Sequence, residues 1–267
     1  MSDVRAAAVA GLFYPGAKNE LTAELHAHLA AATPSSASGG AGPKGLIVPH
    51  AGYVYSGAIA GRGYARLAAV RNAIRRVVLF GPAHRAPVRG LALPSVRAFA
   101  TPLGEVLLDG EAARLALTLP QVVRDDAAHA REHSLEVQLP FLQRSLEDFR
   151  IVPFAVGDAT PDEVAEVIEL LWGGPETLIV VSSDLSHYQR YAEARATDRA
   201  TADAILALSP QIDHQQACGA TPINGLLIAA RRHGLRPELL DLRNSGDTAG
   251  DKSRVVGYAS FAFDASR

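Results

Sequence analysis

Three apolar runs in this chain end alike, each delivering side chains able to do chemistry. Ile47-Val48-Pro49 delivers His50 and turns at Gly52. Val77-Val78-Leu79-Phe80-Gly81 delivers His84, and Leu178-Ile179-Val180-Val181-Ser182 delivers Asp184 and His187. Short β-branched runs closed by Gly or Pro predict buried strands. Helical patterns lie between them: 18–32, with Leu21, Leu25 and Leu29 at i+4 spacing, then 57–69, 111–119, and 134–147 with a kink at Pro140. Thr160-Pro161-Asp162-Glu163 predicts a capping box with proline at N1, opening a helix that stops at Gly173-Gly174. Helices over 189–208 and 219–233 follow. Strands are expected over 76–81, 151–156, 177–182 and 255–263, strands and turns over 91–109, and a flexible loop over 33–42.

Such alternation predicts an α/β fold: one domain spanning residues 1–267, with a central, mostly parallel sheet and helices on both faces. Open sheets of this kind bind ligands outside the carboxyl ends of their strands. Three strand ends carrying histidines therefore point to one site.

Composition narrows the function. With 267 residues, 48% of them hydrophobic, the chain can bury a large core. A net charge of -2 without a basic run gives no footprint for nucleic acid. The single cysteine, Cys218, excludes an internal disulfide and suits a reducing compartment. Neither a secretory signal nor an apolar run of the ~20 residues a membrane helix needs is evident. A cytoplasmic protein is expected.

Each candidate residue has a bland reading beside a chemical one. A lone histidine beside an apolar run is more often a hydrogen-bonded structural group; three at strand ends shift that balance. Imidazole suits zinc, copper and iron alike. Cys218 is either a small buried hydrophobe or a thiolate stabilised at the start of the 219–233 helix, able to ligate metal or act as a nucleophile. Asp184 either caps a helix or orients His187, which titrates near neutrality when unperturbed and suits proton transfer. A Ser-His-Asp triad within this one loop is not geometrically reasonable. His129-Ala130-Arg131-Glu132-His133 matches the H-x-x-E-H zinc-peptidase pattern. That chemistry needs both histidines on one helical face, whereas Asp125, Asp126 and an N-cap at Ser134 predict a loop-to-helix junction. Glu132 and His133 are then substrate-binding groups. Tyr53, Tyr55 and Tyr188 wall the pocket or fill the core.

As a set, Gly11-Leu12-Phe13-Tyr14-Pro15, Pro49-His50-Ala51-Gly52-Tyr53, Gly81-Pro82-Ala83-His84, Thr101-Pro102-Leu103-Gly104, Glu132-His133-Ser134-Leu135-Glu136, Ser182-Ser183-Asp184-Leu185-Ser186-His187 and Val255-Val256-Gly257-Tyr258 resemble the Memo family, called AmmeMemoRadiSam system protein B in bacteria and archaea. Ala83 stands where serine is expected. The family is similar in fold to class III extradiol ring-cleaving dioxygenases, non-haem iron enzymes. The resemblance implies that His50 and His84 are metal ligands, that His187 is the catalytic acid/base with Asp184 beside it, and that Cys218 takes the place of those enzymes' glutamate ligand. A thiolate makes such a site softer, more attractive to copper or zinc, and more easily oxidised.

Two readings stay open. One is a metal-dependent redox or dioxygenase-like enzyme, with iron first and copper or zinc as alternatives. The other is a non-catalytic metal-binding or interaction component working with a radical SAM enzyme. In both, Tyr53, Glu132, His133 and Tyr188 meet a small-molecule or peptide ligand. The zinc peptidase on His129 and His133 is a third, weaker reading.

Overall fold

The computed structural model describes residues 3–32 and 42–265; apart from Gly42, the loop expected over 33–42 lies outside them. In chain order the elements are β1 (Val4–Arg5), α1 (Lys18–Ala30), β2 (Gly45–Val48), α2 (Tyr53–Ala65), β3 (Arg76–Pro82), β4 (Leu91–Leu93), β5 (Ala98–Thr101), β6 (Gly104–Leu107), α3 (Gly110–Ala116), β7 (Val122–Arg124), α4 (Asp126–Ala130), α5 (Leu139–Ser145), β8 (Arg150–Val156), α6 (Pro161–Leu170), β9 (Thr177–Ser182), β10 (His187–Gln189), α7 (Tyr191–Leu206), α8 (Ala220–Arg232), β11 (Leu235–Asn244) and β12 (Val255–Ala265).

Strands β2, β9, β3 and β8 lie side by side in that order, all parallel. Every residue of β2 and β9 is buried, as is nearly all of β3 and β8, so these strands read as continuous apolar runs. Their side chains alternate between two cores. Leu46, Val48, Val77 and Leu79 face a cluster with Leu21 of α1, Tyr53 of α2 and Phe141 of α5. Ile47, Val78 and Phe80 face another with Val164 of α6, Ala202 of α7 and Ile223 of α8. Burying each large apolar side chain contributes roughly 1.5–3 kcal/mol. Antiparallel strands extend both flanks: β12 beside β2, and β4 beside β8. A separate three-stranded sheet joins β1, β5 and β6.

The result is the expected α/β architecture, with local corrections. The Thr160–Glu163 capping box forms as expected, with Pro161 in the first turn of α6. Pro140 does not kink a 134–147 helix. It lies in the first turn of α5, where its missing N–H costs nothing, and a 3-10 turn at Glu136–Gln138 precedes it. Helix α2 begins at Tyr53, directly after the His50 turn, rather than at residue 57. Strand β11 escapes sequence detection because Pro237 and a half-buried, mixed-polarity pattern mark an edge strand rather than a core one.

Candidate metal centre

Adjacent parallel strands bring the chemistry together. His50 lies just past β2, Asp184 just past β9 and His84 just past β3, and these three strands are neighbours with one direction. The segment after α4 adds His133. One ligand nitrogen from each of His50, His84 and His133 lies within 4.8 Å of the others. The ring centroids stand 5.3 Å apart for His50–His84, 5.4 Å for His50–His133 and 4.8 Å for His84–His133. Gly81 permits this approach, since a Cβ there would meet Ser134 Oγ at 2.7 Å.

Hydrogen-bond bookkeeping sets two tautomers. Ser182 Oγ donates its only proton to Ser134 O (2.6 Å) and accepts from Gln138 Nε2 (2.8 Å). His50 Nδ1, 2.9 Å from that oxygen, must therefore carry a proton and donate it, leaving Nε2 with a bare lone pair. His84 Nδ1 lies 3.0 Å from Glu132 Oε1, a carboxylate that can only accept, so in the neutral ring Nε2 is bare too. Both follow the pattern in which a partner fixes a ligating histidine's orientation. His133 Nδ1 is buried 3.3 Å from Glu132 Oε1 without hydrogen-bond alignment. Bare and orphaned imidazole nitrogens converging on one point fit a divalent metal.

The electrostatics agree. Burial, then the neighbouring His84, holds His50 down to about 3. Burial, then His50, lowers His133 to about 4, so both rings are neutral near pH 7. Burial alone would raise Glu132; the hydrogen bond from His84, with backbone amides, instead holds it at about 2. An ionised Glu132 thus sits behind His84, accepting also from His133 N and Ser134 N, both at 2.9 Å.

The other expected residues divide. Cys218 Sγ is 3.4 Å from His50 Nε2, so the thiol can donate to the bare lone pair. Burial, then the charge of Asp184, pushes the Cys218 thiol up to about 12. Asp184 caps no helix; its Oδ1 accepts from His50 N (2.7 Å) and Ala51 N (3.3 Å) and pins the His50 turn. His187 Nδ1 donates to Leu185 O at 2.8 Å, leaving Nε2 free. Tyr53, expected at the pocket wall, is instead a core residue: it is 2% exposed and its hydroxyl donates to Val137 O. Tyr55 and Tyr188 are exposed, and Tyr188 sits at φ 56. The peptidase geometry is absent. Helix α4 ends at Ala130, between the two histidines, and His129 Nε2 donates to Ala92 O in the core, away from His133. The expected N-cap at Ser134 is corrected as well, its hydroxyl donating to Pro82 O.

Comparison with known proteins decides the family. Residues 5–262 match the family model described as Memo-like protein. The chain belongs to the Memo family. It is 38% identical to a MEMO1 family protein of Aeropyrum pernix over 96% of this chain and 98% of that one. It is likewise 38% identical to one of Aquifex aeolicus, over 97% and 99%. A solved structure of an uncharacterized Escherichia coli K12 protein is similar in fold, with a TM-score of 0.52 and 15% identity over 80% of this chain and 98% of that one. Among the described residues no helix is long and apolar enough to cross a membrane.

In this Memo-family chain, several supporting residues escaped sequence reasoning. Gln138 donates to Pro49 O and Ser182 Oγ and accepts from Tyr64 OH, forming the relay that sets His50. Glu136 is fully buried and accepts from Arg5, Tyr14 OH, Ala8 N and Val9 N. It thereby ties the N-terminal arm to the His133 segment, and Phe13 packs on His133 with ring centroids 4.8 Å apart. One sequence signal was available for grouping His133 with His50 and His84: it adjoins Glu132, which accepts from His84 Nδ1.

Proposed function

We propose that this Memo-family protein holds a divalent metal on His50, His84 and His133, with Cys218 beside His50 as a further donor and His187 as the proton carrier, in a pocket like that of class III extradiol dioxygenases. The observation that supports this reading is the convergence of three imidazole nitrogens within 4.8 Å. A redox-active ion such as iron, when bound, supplies Lewis acidity and open positions for a ligand. The chain's own groups do the rest. Glu132 and Ser182 keep the Nε2 atoms of His84 and His50 bare, and Asp184 fixes the His50 turn. His187 accepts or returns a proton at its free Nε2. The exposed rings of Tyr55 and Tyr188 offer an apolar rim to a small-molecule or peptide ligand.

The donor set favours a second reading. Among the described residues no carboxylate joins the three-histidine cluster, whereas oxygen-activating iron of the two-histidine, one-carboxylate type uses one. The protein then serves as a metal-binding component beside a radical SAM partner and turns over no substrate.

Anaerobic titration of metal-free protein with Zn(II) and Fe(II) tests the centre. His50→Ala, His84→Ala and His133→Ala each lower affinity on the order of 100-fold or more, while His129→Ala leaves it unchanged. Equal affinity in the wild type and the first three variants overturns the proposal. Calorimetry in buffers of different ionisation enthalpy tests Cys218: a thiol ligand releases about one proton on binding, and neutral imidazoles release none. Oxygen uptake by the Fe(II)-loaded protein with a panel of catechols supports the enzyme reading; retained metal without uptake supports the second.

A further inference from the structure

The loop carrying His187 is held from two sides. Strand β12 supplies one: Leu185 N donates to Gly257 O and Gly257 N donates to Ser186 O, both at 2.8 Å. Helix α7 supplies the other, where Ser186 N donates to Asp198 Oδ1 at 3.0 Å. Asp198 is 2% exposed, and among the described residues it makes no salt bridge; a charge on His187 acts on it through space only. A buried carboxylate without a salt bridge is costly, so its position calls for a reason. Gly257 shows how closely the carboxylate is fitted: a Cβ there would lie 2.1 Å from Asp198 Oδ2. Any other residue at 257 would push the carboxylate off the loop.

We propose that Asp198 is a positioning residue for His187. By accepting the Ser186 amide it holds the loop in the shape where Leu185 O takes the Nδ1 proton, which keeps Nε2 free. The inference rests on the reading of His187 as proton carrier. It explains why a carboxylate on α7 and a glycine on β12, neither in contact with the three-histidine cluster, meet behind this loop. Asp184, His50 and the adjacent Tyr188 are the other titratable groups near the His187 ring, and none of them bonds its Nδ1.

The test compares Asp198→Asn, Asp198→Ala and Gly257→Ala by NMR of nitrogen-labelled histidine and by amide exchange. Asparagine retains an oxygen that accepts the Ser186 amide, so Asp198→Asn keeps the Nδ1–H tautomer of His187 and the protection of Ser186. Asp198→Ala and Gly257→Ala yield mixed tautomers and speed Ser186 exchange by about tenfold or more. If Asp198→Ala does not fold, Gly257→Ala carries the same comparison. An unchanged tautomer and unchanged protection in the folded alanine variants overturn the proposal, whatever their melting temperatures. Zinc binding is followed on the same samples with zinc alone as probe. Its failure in the wild type sinks the metal centre, while the tautomer result still decides the role of Asp198.

Discussion

The two ends of the sheet look alike in residue type and differ in what they leave unspent. At the amino ends of β2 and β9, Lys44, Trp172 and His233 surround a hollow of about 470 Å³. The His233 ring stacks on Trp172 at 3.7 Å, and Lys44 Nζ lies 4.9 Å from the Trp172 centroid. Yet Lys44 gives its three protons to the carbonyls of Trp172, Gly174 and Thr177, and His233 Nε2 is paired with Glu169. At the carboxyl ends the Nδ1 protons of His50 and His84 are spent on the protein, and the Nε2 lone pairs remain. The first end offers a hollow. Unspent valence favours the second.

The largest expected contrast is acid sensitivity. His50 is held at about 3, and His129 and His133 at about 4, all by burial first. Unfolded histidine titrates near 6.5, so below that value the unfolded state binds more protons. Stability from these groups is therefore full above about pH 6.5 and lost as pH falls toward 4. Asp198, raised by burial to about 6, works the other way between about pH 4 and 6, offsetting one proton of the three. Urea midpoints of the metal-free protein should fall steeply from pH 7 to 4.5, and bound zinc should delay the fall. A flat profile would mean that the rings are charged in the fold, and the carboxyl end would lose its distinction.

The fold was legible where one physical signal dominated. Continuous apolar runs marked β3, β8 and β9 because strands covered on both faces need them, and Thr160-Pro161-Asp162-Glu163 marked the start of α6 through local capping alone. The placement of the candidate residues was legible as far as strand ends go: His50, His84, Asp184 and His187 follow parallel neighbours. His133 was not, because its segment is placed by the buried contacts of Glu136 with the N-terminal arm, a long-range pairing that no period reveals. Tyr53 misled for the related reason that a hydroxyl at the start of α2 can satisfy itself on a distant carbonyl. The tautomers of His50 and His84 depend on Ser182, Gln138 and Glu132, and only coordinates show those bonds.

A second contrast concerns metal affinity. Ser182→Ala removes the acceptor of the His50 Nδ1 proton, and Glu132→Gln sets an amide NH2 against the backbone amides that now point at a carboxylate. Each should weaken zinc binding by about 10–100-fold without removing a ligand. Lys44→Met, at the other end, should leave zinc affinity alone. Its cost appears in stability, about 1–3 kcal/mol by denaturant unfolding, from three carbonyls deprived of their shared donor. Loss of zinc affinity in Lys44→Met would erase the difference between the two ends.

The smallest effect sharpens the comparison at the rim. Tyr188 occupies the left-handed region at φ 56 and is 69% exposed, beside the His187 ring. A bulky residue held there stores on the order of 1 kcal/mol of strain, and its exposed ring recovers little by burial. Tyr188→Gly relieves the strain but frees the unfolded chain, so the net change should be a gain below about 1 kcal/mol. A strained, exposed aromatic beside the His187 ring is what a ligand-facing residue at the carboxyl end would be, and among the described residues nothing comparable flanks Lys44. Tyr188→Gly should therefore leave zinc affinity untouched, gain slightly in thermal stability, and weaken capture of any aromatic pocket ligand. A clear loss of stability would show that the ring is packed for structure, and the rim would then resemble the amino end of the sheet after all.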